Sequence, residues 1–408
     1  MTTSPLLIVV GGTDPVYRGY CVEQAAAGYP IALIDTKSPS WAHHLVADHE
    51  VADIHDVDSV VAAGLALAER HRVAGVVTWD EYALVPTAAL VERLGVPGNA
   101  VEAMTACRDK ARSRRLFAEH DVPSATSTRV TSLEQAREAA LSTGFPVVLK
   151  PSSHAASIGV IRADNIEELL VAWEFASAGA GEQGPEGSGV LVEEYLAGPE
   201  VSVECVTHQG ITTALAVTRK EVGFAPYFEE TGHTVDAADP LLPEVAPVAI
   251  QAVRALGVTS GIQHVEMRLT ATGPRIIEVN ARIGGDRIGT LVRLATGLDL
   301  PRIAADVACG RQPDLTRTAH TTAAIKILYP PASGVLTARE LSADADATCP
   351  WLHEVTWLRK VGEQVALPPA GNLDTARVGF LIVTDDTAQE TRARLASLTD
   401  DLTLTVTR

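Results

Sequence analysis

Apolar and polar residues alternate twice in quick succession between Gly261 and Thr290, in GIQHVEMRLTATGPRIIEVNARIGGDRIGT. The alternation predicts two short strands, Ile262–Leu269 and Arg275–Asn280, joined by a turn over Thr270–Pro274 where Gly-Pro interrupts the pattern. With the turn centred on Thr272, antiparallel pairing sets Glu266 opposite Glu278 and His264 opposite Asn280, and all four side chains share one face.

Upstream the pattern is of another kind. Leu6–Val10 is a continuous apolar run followed by Gly-Gly, and Val16–Ala27 has helical spacing. Ile31–Ile34, Val51–Ile54, Val57–Arg70, Gly75–Thr78 and Tyr82–Leu94 continue the exchange of strand and helix, which predicts a parallel sheet with helices on both faces. Ligands of such sheets bind beyond the carboxyl ends of the strands. That rim carries Gly11, Gly12 and Thr13, then Asp35 and Lys37, then Trp79, Asp80 and Glu81. Gly-Gly-Thr lacks the dinucleotide-binding spacing and reads as a turn. Trp79–Glu81 either holds an amino group, with Glu81 as candidate, or supplies a helix cap through Asp80.

Asn99–Val101 opens a helical connection into CRDKARSRRLFAEHDVPSA, whose four basic residues within Lys110–Arg115 fit a local phosphate contact better than a nucleic-acid surface. Phe145–Lys150 is an apolar strand ending in a lysine. Ser152–Val160, SSHAASIGV, is either an anion-binding nest of small residues or a surface hairpin. A helix is expected over Ile166–Ala176, then a flexible connector, GAGEQGPEGSG, then two strands in Val190–Glu204 separated by a break at Leu196–Pro199. Such a break exposes backbone groups that can read an adenine edge, while Glu200 can accept from ribose hydroxyls. Beyond Ala323 come short strands and a final helix, Thr387–Leu398, making an α+β unit of about 85 residues, short for an independent domain. Structural support is its default role; capping the active site or homodimer formation are the others.

Two carboxylates facing each other at roughly 5 Å call for a positive charge between them. Carboxylate and amide oxygens suit Mg²⁺ or Mn²⁺, and Mg²⁺ completes its shell with water and substrate phosphate, so Glu266, Glu278 and Asn280 predict a nucleotide site. Arg282, Gly285, Asp286 and Arg287 follow at once, bringing cationic forks beside the metal face. Arg287 could pair with a carboxylate, and His233 or His264 could contact a ligand or serve as hydrogen-bonded structural groups.

The chain has 408 residues and a formal charge of −18, which excludes an extended nucleic-acid surface. MTTSPLLIVVGG is not a secretion leader and no run of about 18 apolar residues exists, so a cytoplasmic protein without membrane segments is expected. The five cysteines lie far apart without CxxC spacing, as buried thiols would.

Taken in order, Lys110 opening a helix, VVLKP with Lys150, VEEYLAGPEVSVE, HVEMRL and IIEVNARIGGDRIG resemble the ATP-grasp ligases over roughly Leu6–Ala323. FEETGHTVDA at Phe228–Ala237 and GGDRIGTLVRLATGLDL look like the carboxylate–amine branch that includes bacterial L-amino-acid (dipeptide) ligases and carnosine synthase. The resemblance implies an α/β and α+β chain. An amino-terminal Rossmann-like domain would span 1–98, linker helices and a small lid subdomain 99–190, a large subdomain with the metal hairpin 191–322, and a carboxyl-terminal α+β domain 323–408. It implies that Lys110 and Lys150 contact ATP phosphates under a lid containing Ser157. Glu193, Glu194 and Leu196 would line the adenine, and Glu200 would take the ribose. Glu266, Glu278 and Asn280 would bind Mg²⁺, and Arg282 would meet an acyl phosphate, with Arg282 and Lys150 as the catalytic pair. Arg287, His233, His264, Glu81 and Gly285 would form the substrate end. The lid departs from the family pattern in holding less glycine. The implied reaction joins two amino acids through an amide bond with release of ADP. The alternative is an ATP-grasp enzyme of purine or cofactor biosynthesis acting on a phosphorylated amine or bicarbonate, which requires a basic patch at the mouth of the amino-terminal domain.

Overall fold

The run Leu6–Val10 forms the fully buried strand β1 at the centre of a parallel sheet. The structure, a computed structural model, describes residues 5–154, 157–181, 189–341 and 349–408. Around β1 lie β2 (Ile31–Asp35), β3 (Val46–Val51) and β4 (Val73–Thr78) in the order β3-β2-β1-β4; helix α1 (Gly19–Ala26) links β1 to β2, α2 (Val57–Arg70) links β3 to β4, and α3 (Leu84–Leu94) follows β4. The third strand falls earlier than the expected Val51–Ile54. It is an edge strand with one polar face, VADHEV, whose Asp48 and Glu50 take Arg70 at 2.9 and 2.7 Å, so a search for apolar runs passes over it. Helix α1 begins three residues later than expected, because Asp14 Oδ1 accepts from the N–H groups of Val16 and Tyr17 and holds them in a turn. Asp80 acts in the same way on Tyr82 N and caps no helix.

Helices α4 (Val101–Arg108) and α5 (Lys110–Glu119) connect this layer to a four-stranded antiparallel sheet, β5-β8-β6-β7, made of β5 (Ser127–Val130), β6 (Val147–Pro151), β7 (Ile161–Ala163) and β8 (Val190–Glu194). It is covered by α6 (Leu133–Thr143) and α7 (Leu169–Gly181). The expected connector between α7 and β8 falls mostly on residues 182–188, outside the described residues, as do residues 155 and 156 of the expected lid.

The third layer is an eight-stranded sheet of order β13-β12-β9-β10-β11-β14-β18-β16. Its strands are β9 (Glu200–His208), β10 (Ile211–Gly223), β11 (Glu229–Asp236), β12 (Gly261–Thr270), β13 (Gly273–Asn280), β14 (Thr322–Leu328), β16 (Leu352–Trp357) and β18 (Gly379–Asp385). Helices α8 (Leu242–Ala255), α9 (Ile288–Thr296) and α10 (Leu300–Ala308) pack on it. Strands β14, β18 and β16, from the carboxyl-terminal part of the chain, therefore extend the sheet that carries the hairpin. A three-stranded sheet of β15 (Gly334–Leu341), β17 (Gln364–Val365) and β19 (Leu402–Thr407), with α11 (Leu373–Ala376) and α12 (Ala388–Asp400), completes the fold. No helix among the described residues is long and apolar enough to cross a membrane.

The hairpin β12–β13 has the expected pairs, His264 with Asn280 and Glu266 with Glu278, but reaches them differently. Its turn is shorter than expected, with Thr270 opposite Gly273, and one extra residue, Ile277, is bulged out between Ile276 and Glu278. Turn and bulge offset each other, so the face is preserved. The break after Glu194 also has a structural meaning: β8 belongs to the four-stranded sheet and β9 to the eight-stranded one, so Tyr195–Pro199 carries the chain across the gap between them.

Candidate functional site

That gap is a cleft of about 410 Å³. One wall is β6 and β8, the other the faces of β9, β11, β12 and β13; the turn at Asp14–Arg18 and Arg377 close one end. Of the expected site residues, Lys150, Ser157, Glu193, Glu194, Leu196, Glu200, His264, Glu266, Glu278, Asn280, Arg282 and Gly285 line it. Lys110, Glu81 and His233 stand directly behind residues that do.

On the hairpin face, Glu266 and Glu278 each have a protein cation. Lys220 Nζ lies 3.1 Å and His264 Nε2 3.1 Å from Glu266 Oε1, and Lys110 Nζ lies 2.9 Å from Glu278 Oε1. Charge balance between the facing acids is thus met by side chains, which removes the need for a metal on that ground alone. Sequence reasoning missed Lys220 because it sits in an unremarkable strand, ITTALAVTRKEVG, with no motif around it. It is nonetheless a buried hub, 2.6 Å from Glu230 and 3.7 Å from Glu200 as well. Burial pulls its pKa down, but Glu230, Glu266 and Glu200 together hold it well above the usual lysine value. Burial likewise pushes the Glu266 carboxyl up, and Lys220 and His264 bring it well below the ordinary range. His264 is fixed through Nδ1 to Glu204 at 2.8 Å, a structural bond that leaves it buttressing Glu266.

The residues fit a divalent cation. Hydrogen bonds and the nearest cations meet Oε1 of both glutamates, and Oε2 of each receives no hydrogen bond among the described residues. Asn280 adds an amide oxygen, 3.3 Å from Arg282 Nη2, and hard oxygen donors of this kind suit Mg²⁺ or Mn²⁺.

Across the cleft, Lys150 Nζ lies 2.6 Å from Glu193 Oε2, and Arg114 binds the same carboxylate through Nε and Nη2 at 2.8 and 3.1 Å. Burial pushes Glu193 up, yet the two cations hold it at about 2. Burial is also the largest influence on Lys150, whose pKa is lowered despite Glu193. Glu193 is therefore committed to a buried ion cluster within the wall. The Glu194 carboxylate bonds Arg275 and Thr126 N, and the N–H groups of Glu194 and Tyr195 donate to Thr126 O and Pro146 O at 3.0 and 3.2 Å. Glu200 is held by Arg268 at 2.8 Å. Ser157 has a positive φ of 56°, a sharp reversal next to the segment 155–156.

At the substrate end, Glu81 receives Arg282 Nε at 2.8 Å and Arg108 at 3.3 Å, so it orients the arginine that lines the cleft. Burial raises the Glu81 carboxyl, and Arg282, Arg108 and Lys110 outweigh it. His233 Nε2 sits 3.3 Å from Asp286 and 3.5 Å from Glu230. Burial lowers its pKa, but these acids raise it to about 9, so the ring is a cation at neutral pH. Arg287 is not among the residues that line the cleft. Its guanidinium bonds Val16 O and Glu354 at 2.7 Å each and stacks 5.1 Å from the Tyr20 ring centre, tying the loop after the hairpin to its neighbours. A guanidinium that does line this end of the cleft is that of Arg377, 2.6 Å from Asp286. No sequence signal marks it, since it lies 91 residues away from its partner.

A family model for the ATP-grasp domain matches residues 143–290. The alanine–anticapsin ligase of Bacillus subtilis is 28% identical over 318 residues, covering 70% of this chain and 63% of that protein. Against the curated relatives it matches over most of its length, the chain spans 63–65% of theirs. The crystal structure of an L-amino acid ligase from Bacillus licheniformis has a TM-score of 0.83 and 21% identity, with 99% of each chain covered. That of phosphoribosylglycinamide synthetase from Anaerococcus prevotii has a TM-score of 0.74 and 18% identity, covering 99% of this chain and 100% of that one. Residues 143–290 thus match an ATP-grasp domain, and the chain has the fold of an L-amino acid ligase and sequence similarity to an alanine–anticapsin ligase.

Proposed function

We propose that the protein is an ATP-dependent ligase that forms an amide bond, of peptide or γ-glutamyl type, between two amino acids. The observation that carries the reading is the meeting of Glu266, Glu278 and Asn280 with Arg282 and Lys150 in one cleft. The ATP-grasp match and the similarity to an amino-acid ligase support it. The substrates are ATP and two amino acids. The division into domains at 1–98, 99–190, 191–322 and 323–408 belongs to the same reading.

A carboxylate is a poor acyl donor, so one of its oxygens attacks the γ-phosphorus of ATP, the bond from that phosphorus to the β,γ-bridging oxygen breaks, and ADP leaves. The amine of the second substrate then attacks the carbonyl carbon of the acyl phosphate, phosphate departs and the amine loses a proton to solvent. Glu266, Glu278 and Asn280 would hold Mg²⁺, which when bound supplies charge neutralisation for the phosphoryl group. Lys150 and the backbone of Glu194–Leu196 hold the nucleotide, with the Glu200 carboxylate toward its ribose. Arg282, oriented by Glu81 and Asn280, offers its positive charge to the acyl phosphate and to the oxyanion that follows. Lys110 holds the Glu278 carboxylate in place. His154, Ser157, Ile158 and Val160, which line the cleft, help exclude water from the intermediate.

The rim of the amino-terminal sheet weighs against a phosphorylated-amine substrate. It contributes Asp14, Tyr17 and Arg18 to the cleft, and Arg18 Nη1 is bonded to Gly284 O at 2.9 Å, so the mouth is not basic. Incubation with Mg²⁺, ATP and pairs of amino acids tests the reading: ADP and a new amide are expected. Formation of AMP and pyrophosphate would exclude the acyl phosphate, and turnover that needs a ribonucleotide would favour the purine-type alternative.

A further inference from the structure

We infer that Glu229 selects the amino-acid substrate by binding a cationic group on its side chain, an inference that rests on reading the cleft as an amino-acid ligase site. Among the described residues, nine carboxylates line the cleft. Seven of them are ion-paired to side chains of the protein. An eighth, Asp14, accepts two backbone N–H groups. Glu229 has neither kind of partner. Its one hydrogen bond among the described residues is a long one, 3.4 Å from the Tyr329 hydroxyl.

The place of Glu229 in the fold gives this isolation a direction. It opens β11, opposite Gly223, on the wall that continues into Tyr329 beyond β14 and faces Arg377. The reacting groups belong at Arg282 and the hairpin, so the substrate's side chain is what extends toward β11. Burial holds the Glu229 carboxyl above its usual range; Arg377 and the Tyr329 hydroxyl pull the other way, and Glu230 and Asp286 add to the rise. An arriving ammonium or guanidinium supplies the missing counter-charge and gains a charge-assisted hydrogen bond. An uncharged side chain leaves the partly desolvated carboxylate with no direct ionic partner, which is how a polar site rejects a near-isostere.

The test is calorimetric binding to the full chain with Mg²⁺ and a non-hydrolysable ATP analogue, comparing L-lysine and L-arginine with L-norleucine. The wild type should bind the two cationic amino acids tighter than norleucine by roughly tenfold to a hundredfold, the scale of one hydrogen bond to a charged group. Glu229→Gln keeps the size of the side chain and its contact with Tyr329, and should collapse the preference to less than about threefold. Glu229→Lys should reverse it in favour of L-glutamate. An equal loss for lysine and norleucine in Glu229→Gln would show the carboxylate meeting the shared α-ammonium, and would overturn the inference. So would a wild type that prefers norleucine or binds no lysine. Failure of the ligase reading is distinct, since it would appear as the absence of amide and ADP with every pair, whatever the binding preference.

Discussion

Lys110 Nζ lies 2.9 Å from Glu278 Oε1, so two residues expected to act on separate partners, phosphate and metal, hold each other in the free protein. Both are largely withdrawn from solvent, at 6% and 16% side-chain exposure. Removing one partner of a buried pair leaves an uncompensated charge, at a cost of about 3–5 kcal/mol. Glu278→Ala should therefore lose ADP release to background and also unfold at lower urea concentration. Glu278→Gln, which can still accept a hydrogen bond from Lys110, should recover much of the stability and none of the turnover. Full activity in Glu278→Ala would refute both the metal assignment and the proposed chemistry.

The hairpin shows what was legible in the sequence and what was not. Alternation places Glu266 opposite Glu278 because a face is a local property of paired strands. The turn and the bulge at Ile277 depend on how Gly273 and Pro274 settle, which alternation does not register, and the two deviations happened to offset each other. Ordered motifs located the cleft wall at Lys150, Leu196 and Arg282. Lys220 and Arg377 were not legible, because each acquires its meaning from partners brought close only by the fold. Arg287 misled for the same reason: an arginine near a metal face invites a substrate role until Glu354, 67 residues on, is seen to occupy it.

The cluster around His233 predicts a pH dependence of stability. Its folded pKa, about 9, lies above the value near 6.5 expected for the unfolded chain. The native state then binds the extra proton between those values, so the stabilisation is fully present below about pH 6.5 and is lost as pH rises through 9. The contribution is at most about 3 kcal/mol. Urea midpoints should fall between pH 6.5 and 9.5 in the wild type, and His233→Gln should flatten that part of the profile. An unchanged slope in the variant would place the titration elsewhere.

Arg287 should behave as a structural residue. Arg287→Ala removes charge-assisted bonds to Val16 O and Glu354 and should destabilise the fold by about 2–3 kcal/mol. At a temperature where the variant is folded, KM for each amino acid should stay within about twofold, since removing a group that does not touch substrate leaves binding energy intact. A large rise in KM for one amino acid, with an unchanged melting temperature, would restore the carboxylate-clamp reading.

Gly198 connects the crossing between the two sheets to the nucleotide side of the cleft. Its φ is +138°, and a Cβ there would fall 2.0 Å from Leu269 O and 2.8 Å from its carbonyl carbon, both of them backbone atoms. The segment is also tied to β12 by Leu269 N to Pro199 O and Arg268 Nη1 to Gly198 O, each 2.9 Å. Alanine can therefore enter only if the chain moves off β12, and Leu196, two residues before, moves with it. Gly210 provides the control, with φ at +77° and open space where its Cβ would lie. Gly210→Ala reports backbone strain alone, about 1 kcal/mol or more. Gly198→Ala adds the collision, so it should cost at least about 2 kcal/mol beyond the control and raise KM for ATP severalfold more than KM for either amino acid. Equal effects of the two substitutions on stability and on KM for ATP would mean that the crossing plays no part in holding the nucleotide.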